Sequence, residues 1–141
     1  MVGGCGIMKF RWHFVFALCL FTILWIAIES ISLSMIFIPI LMAPLPDVDL
    51  KFKSHRNAVF HSILIPVIVF IFNPSELTAL VCLSFGLHCL LDGISFKKKI
   101  GYYRIKWYHN HEMLNGKASM IWLWANFIAS VIILTWWILV L

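Results

Sequence analysis

Five apolar runs and the two kinds of connection between them constrain this chain more than any single motif. The runs cover 12–28, 31–46, 58–72, 77–96 and 118–141. Two connections, at 29–30 and 73–76, are short and carry no basic residue. The other two and the N-terminal segment hold all 11 Lys and Arg: Lys9 and Arg11; Lys51, Lys53 and Arg56; and Lys97, Lys98, Lys99, Arg104, Lys106 and Lys117. A helix needs about 20 apolar residues to cross a hydrocarbon core of about 30 Å. Runs 12–28, 77–96 and 118–141 meet that requirement. Run 31–46 contains Pro39, Pro44 and Pro46, and run 58–72 is equally short, so both are expected to be tilted or re-entrant.

Composition points the same way. Hydrophobic residues make up 62% and charged residues 12%, against roughly 45–50% and 25% in ordinary globular domains. A soluble chain of 141 residues leaves too much of its surface exposed to hide that apolar content. A soluble enzyme, a secreted disulfide scaffold and a disordered tail are excluded on this basis. The expected fold class is all-α: one integral membrane domain over 1–141, a polytopic transmembrane helix bundle of about five spans. The four cysteines, Cys5, Cys19, Cys82 and Cys89, show no CxxC spacing and read as free thiols. No small-residue cleavage site follows the first run, so it is expected to be retained as an anchor.

If all five runs cross, the three basic segments share one side, which the positive-inside rule makes cytoplasmic. The N-terminus is then inside and the C-terminus outside, in a cell (inner or plasma) membrane. The net charge of +5 reports this orientation; with no basic stripe along a helix, nucleic-acid binding is not expected. The lipid bilayer is the expected partner, and oligomeric state is not encoded visibly.

The same arrangement gathers the ionisable groups. Buried in hydrocarbon, each costs several kcal/mol unless paired or hydrated. His13, Asp47, Asp49, His55, His61, His88, Asp92, His109, His111 and Glu112 all belong at or near the cytoplasmic face, leaving Glu29 and Glu76 on the other. His88 and Asp92 are four apart and so share a helical face. Singly these residues have ordinary explanations: Asp47 and Asp49 as caps, His88 with Asp92 as a bracing pair, His13 and His109 as interfacial histidines. Together, imidazoles and carboxylates form the donor set of a divalent metal ion, zinc or manganese. Arg56 beside His55 suits an anionic oxygen such as a phosphate. Lys97-Lys98-Lys99 reads as a topology anchor, and Tyr102-Tyr103, Trp107-Tyr108 and Trp136-Trp137 as aromatic belt residues.

The order His13, then Pro46-Asp47-Val48-Asp49, then His55-Arg56-Asn57-Ala58-Val59-Phe60-His61-Ser62, then His88-Cys89-Leu90-Leu91-Asp92 resembles the YdjM-like (LexA-regulated inner-membrane) family of predicted membrane-bound metal-dependent hydrolases. The resemblance covers residues 13–92. It departs from the family at Phe60, where Thr is common, and at Asn57, where Gly is common, with one extra residue before His61. It implies metal-dependent hydrolysis at the cytoplasmic face, on this reading of a phosphoester in a lipid or amphiphile. Asp47, Asp49, His61, His88 and Asp92 are then expected to hold one or two ions, with His13 and His55 as weaker ligands. Asp49 is assigned as base for the activated water, and Arg56 as the group that neutralises phosphate charge. The alternatives are a non-catalytic metal site for sensing, transport or structure, and an accessory membrane subunit docking through the fifth run.

Overall fold

Helix α4 (Glu76–Ser95) is the axis of the molecule: it packs against each of the other four α-helices, α1 (Cys5–Ala27), α2 (Leu33–Met42), α3 (Leu64–Phe72) and α5 (Gly116–Val140). The computed structural model describes residues 5–29, 31–52, 57–95, 104–106 and 112–140. Among these, the five expected runs become five α-helices, with a 3-10 helix over Leu45–Phe52 and a small antiparallel hairpin of β1 (Arg104–Lys106) and β2 (Glu112–Asn115). The hairpin was not legible from periodicity, because its strands are three and four residues long. Helix α1 begins seven residues before the apolar run that was expected to define it.

Runs 31–46 and 58–72 yield only short helices. Helix α2 has 10 residues and α3 has 9, rises of about 15 and 14 Å, or roughly half a hydrocarbon core. The prolines explain α2. Neither Pro44 nor Pro46 has an N–H to continue the α-helical ladder, so the chain tightens into the 3-10 helix, where the Asp47 N–H donates to the Pro44 carbonyl at 3.2 Å. Ahead of α3, residues 57–63 form a turn, in which the Asn57 side chain accepts the Val59 N–H at 2.9 Å. Helix α4 starts with a reciprocal cap: the Ser75 N–H donates to Thr78 Oγ1 at 3.1 Å and the Thr78 N–H to Ser75 Oγ at 3.3 Å. Gly116, at φ 41°, turns the chain from β2 into α5 through a left-handed conformation that favours glycine.

Helices α4 and α5 are long and apolar enough to cross a membrane; the former is largely buried inside the protein and the latter largely exposed. The described apolar stretch of α1, Arg11–Ala27, is shorter. Large apolar side chains face outward from all four outer helices, among them Ile26, Phe37, Phe72 and Leu139. The core, in contrast, includes His13, Asp47, His61, His88, Asp92 and several serines. Helices α4 and α5 approach most closely at Gly86, where a Cβ would overlap the Ser130 side chain. On the α2 side, the Ser84 hydroxyl donates to the Pro39 carbonyl at 2.5 Å.

Gly86→Ala should therefore destabilise the bundle by about 1–3 kcal/mol, despite the better helix propensity of alanine. Ser130→Gly in the same molecule should restore part of the loss, as read by thermal unfolding of the detergent-solubilised protein.

Candidate metal centre

Five side chains from four elements converge where α2 ends and α3 begins. His13 comes from α1, Asp47 from the 3-10 helix, His61 from the turn before α3, and His88 and Asp92 from α4. All five are enclosed, with 0–5% of their surface exposed. His13 Nε2 lies 3.8 Å from an Asp47 oxygen and 3.5 Å from an Asp92 oxygen. His61 Nε2 lies 3.9 Å from Asp47 and 3.7 Å from Asp92, and His88 Nε2 lies 3.9 Å from Asp47. The His13 and His88 rings stack at 3.9 Å, and His61 meets His88 edge-on at 5.1 Å.

These five separations exceed the roughly 2.7–3.2 Å of an N–H···O hydrogen bond. Two donors each about 2.0–2.2 Å from a common ion stand roughly 3–4 Å apart, depending on the angle between them. The arrangement contains two groups that can hold an ion, His13–Asp47–His88 and His61–His88–Asp92, each with its ligand atoms within 4.8 Å of one another. Charge agrees with geometry. Two ionised carboxylates carry two negative charges, which one divalent cation cancels, offsetting the cost of burying them.

His88 belongs to both groups, and its chemistry is set by the backbone. At the C-cap of α2, the Ala43 carbonyl has no i+3 partner because Pro46 lacks an N–H, and the Asp47 N–H is turned to Pro44. His88 Nδ1 lies 2.9 Å from that carbonyl. A carbonyl oxygen only accepts, so Nδ1–H is the donor, and in the neutral ring the lone pair lies on Nε2, which faces the cluster. Buried His88 Nε2 makes no hydrogen bond among the described residues. His61 is fixed from the opposite side. The Trp122 indole N–H on α5 donates to the His61 carbonyl at 3.0 Å, and the Asn126 side chain accepts the Ile63 N–H at 2.9 Å. The hairpin secures the start of the same turn, through the Ala58 N–H to the Lys106 carbonyl at 2.7 Å.

The structure thus brings together His13, Asp47, His61, His88 and Asp92. His13 is 3% exposed, and His88 with Asp92 is joined in the cluster by His13, Asp47 and His61. Asp49 lies on the 3-10 helix, but its side chain is outside the described residues, as is that of Glu112 on β2. His55, Arg56, His109 and His111 also lie outside the described residues. Cys19, Cys82 and Cys89 are free, as expected, and take no part in either metal group. Sequence reasoning missed Trp122, Asn126 and the Ala43 carbonyl. Trp122 and Asn126 are four apart on α5, a polar pair on one face of an apolar run, and that spacing was the available signal. No protein-family model, curated protein or solved structure matches the chain.

Because the Trp122 indole orients a ligand through its backbone, Trp122→Phe should weaken zinc binding about tenfold without unfolding the protein. Competition with a fluorescent chelator measures the change.

Proposed function

We propose that this chain is an integral membrane protein that hydrolyses a phosphoester of a lipid or other amphiphile, using a divalent ion held by His13, Asp47, His61, His88 and Asp92. The observation that carries this reading is the enclosure of three imidazoles and two carboxylates in two groups that share His88, each at ligand-to-ligand spacing. The ordered motifs that resemble the YdjM-like hydrolases support it independently of geometry, since they contain all five of these residues beside Asp49, His55 and Arg56. Zinc or manganese suits the mixed nitrogen and oxygen donors.

One ion fits this donor set better than two. Both metal groups require His88, whose Nδ1 is committed to Ala43. Its single remaining nitrogen serves one ion at a time. The two groups would then share one ion, with up to five ligands from this chain. An ion held there polarises a phosphoryl oxygen and activates water. The chain supplies the rest: fixed imidazole tautomers, two carboxylates that balance charge, Asp49 as the proposed base, and Arg56 as the proposed partner of the phosphate oxygens. The outward-facing apolar side chains and the long helices α4 and α5 support a bilayer setting. The basic segments support a cytoplasmic N-terminus and an external C-terminus.

The near-complete burial of all five donors favours a second reading, a closed structural or sensing metal site, because catalytic ions keep an open position. Elemental analysis of detergent-purified protein beside a His88→Ala, Asp92→Ala double variant is the first test. Close to one zinc or manganese per chain is expected in the parent and none in the variant, with turnover of a phosphatidic acid or related phosphoester lost alongside. Metal without turnover across a panel of phosphoester lipids selects the closed site. No metal in either protein, even after reloading, overturns both readings.

A further inference from the structure

A groove of about 290 Å³ runs between α2, α3 and α4, and no polar atom lines it. Its walls are Ile38 and Met42 from α2, Ile65 and Val69 from α3, and Val81 and Phe85 from α4, among others. Thr78 also lines it, but its hydroxyl donates to the Asn73 carbonyl at 2.8 Å and so is turned to the backbone. The groove exists because α2 and α3 are short and neither seals the side of α4.

At one end, the residues that line this groove are close in sequence to the His/Asp cluster. Met42 precedes Ala43, whose carbonyl holds His88. Leu45 is two residues before Asp47, Ile65 four after His61, and Phe85 three before His88. The other end, at Leu77 and Thr78, lies at the start of α4. Around it stand the outward-facing side chains of Ile38, Leu45, Ile65 and Val69, so the groove opens into the apolar outer surface.

We propose that this groove binds one acyl chain of a membrane phospholipid whose headgroup phosphate reaches the His/Asp cluster. The proposal rests on the hydrolase reading above and names its substrate class. A methylene group needs about as much room as a water molecule, roughly 30 Å³, so the groove accommodates about ten methylenes of one chain. A hydrocarbon chain loses nothing by entering a lining without polar atoms, whereas a peptide would leave its backbone groups unsatisfied there. The arrangement sends an amphiphile in from the bilayer, tail first along α4, and sets its phosphate against the ligands.

The test uses the metal-loaded protein in phosphatidylcholine nanodiscs containing a phosphatidic acid with a terminal diazirine on one acyl chain. Photolabelling should concentrate on 38–45, 65–69 and 77–85. Val81→Trp, which fills the groove from α4, and Val69→Trp, which fills it from α3, should each reduce that labelling severalfold, because the indole takes the space the acyl chain would occupy. Metal content, measured on the same samples, should match the parent. Labelling spread evenly over the outer faces of α1 and α5, or undiminished in both variants, overturns the proposal. The parent's labelling map decides by itself if neither variant folds. Metal content and turnover report on the hydrolase reading separately: groove labelling in a protein without turnover sinks that reading and leaves the lipid site standing.

Discussion

The hydrogen bond from His88 Nδ1–H to the Ala43 carbonyl ties the backbone of one half of the molecule to the chemistry of the other. It fills an acceptor that the proline-rich end of α2 leaves open, and it holds the α2–α4 interface together with the Ser84–Pro39 bond. In doing so it fixes which imidazole nitrogen is available to the cluster. An unsatisfied carbonyl buried at this depth costs about 1–3 kcal/mol. One contact therefore settles a packing problem and a tautomer at once.

The rest of the centre is built around that histidine. His13 stacks on its ring from α1, His61 meets it edge-on, and Asp92 follows it one turn along α4. Each arrives on a different element, and each element is held by contacts outside the cluster. Helix α5 reaches under the His61 turn with Trp122 and Asn126, and the hairpin pairs with its first residues. Preorganisation of this kind lowers the entropy cost of collecting five donors around an ion. It also places a buried polar cluster beside an apolar core, so the ionisable groups gather where they have one another as partners.

The short helices connect site and surface. Had α2 and α3 each run for some 20 residues, they would have covered α4 along its length and displaced the turn and the 3-10 helix that carry His61 and Asp47. Their early ends create the room for the cluster and the open groove beside it. The prolines of α2 thus have two consequences, a freed carbonyl and an uncovered helix flank.

The apolar runs by themselves determined the helix count and most of each helix's extent, because a helix is the local way for such a run to satisfy its own backbone. The order of His and Asp along residues 13–92 also gave seven candidate ligands, and the five that meet are among them, with His13 expected only as a weaker ligand. Tertiary structure alone decided that they meet, since donors separated by up to 79 positions come together only when α1, the two short helices and α4 pack in one orientation. It also decided the roles of Trp122, Asn126 and the Ala43 carbonyl. Two of these are side chains ordinary for their helix, and the third is a backbone atom that no residue identity records. The short hairpin belongs in the same class, because strands of three and four residues carry too little pattern to announce themselves and are stabilised by Ser119, which accepts the Ile105 N–H and donates to the Leu114 carbonyl.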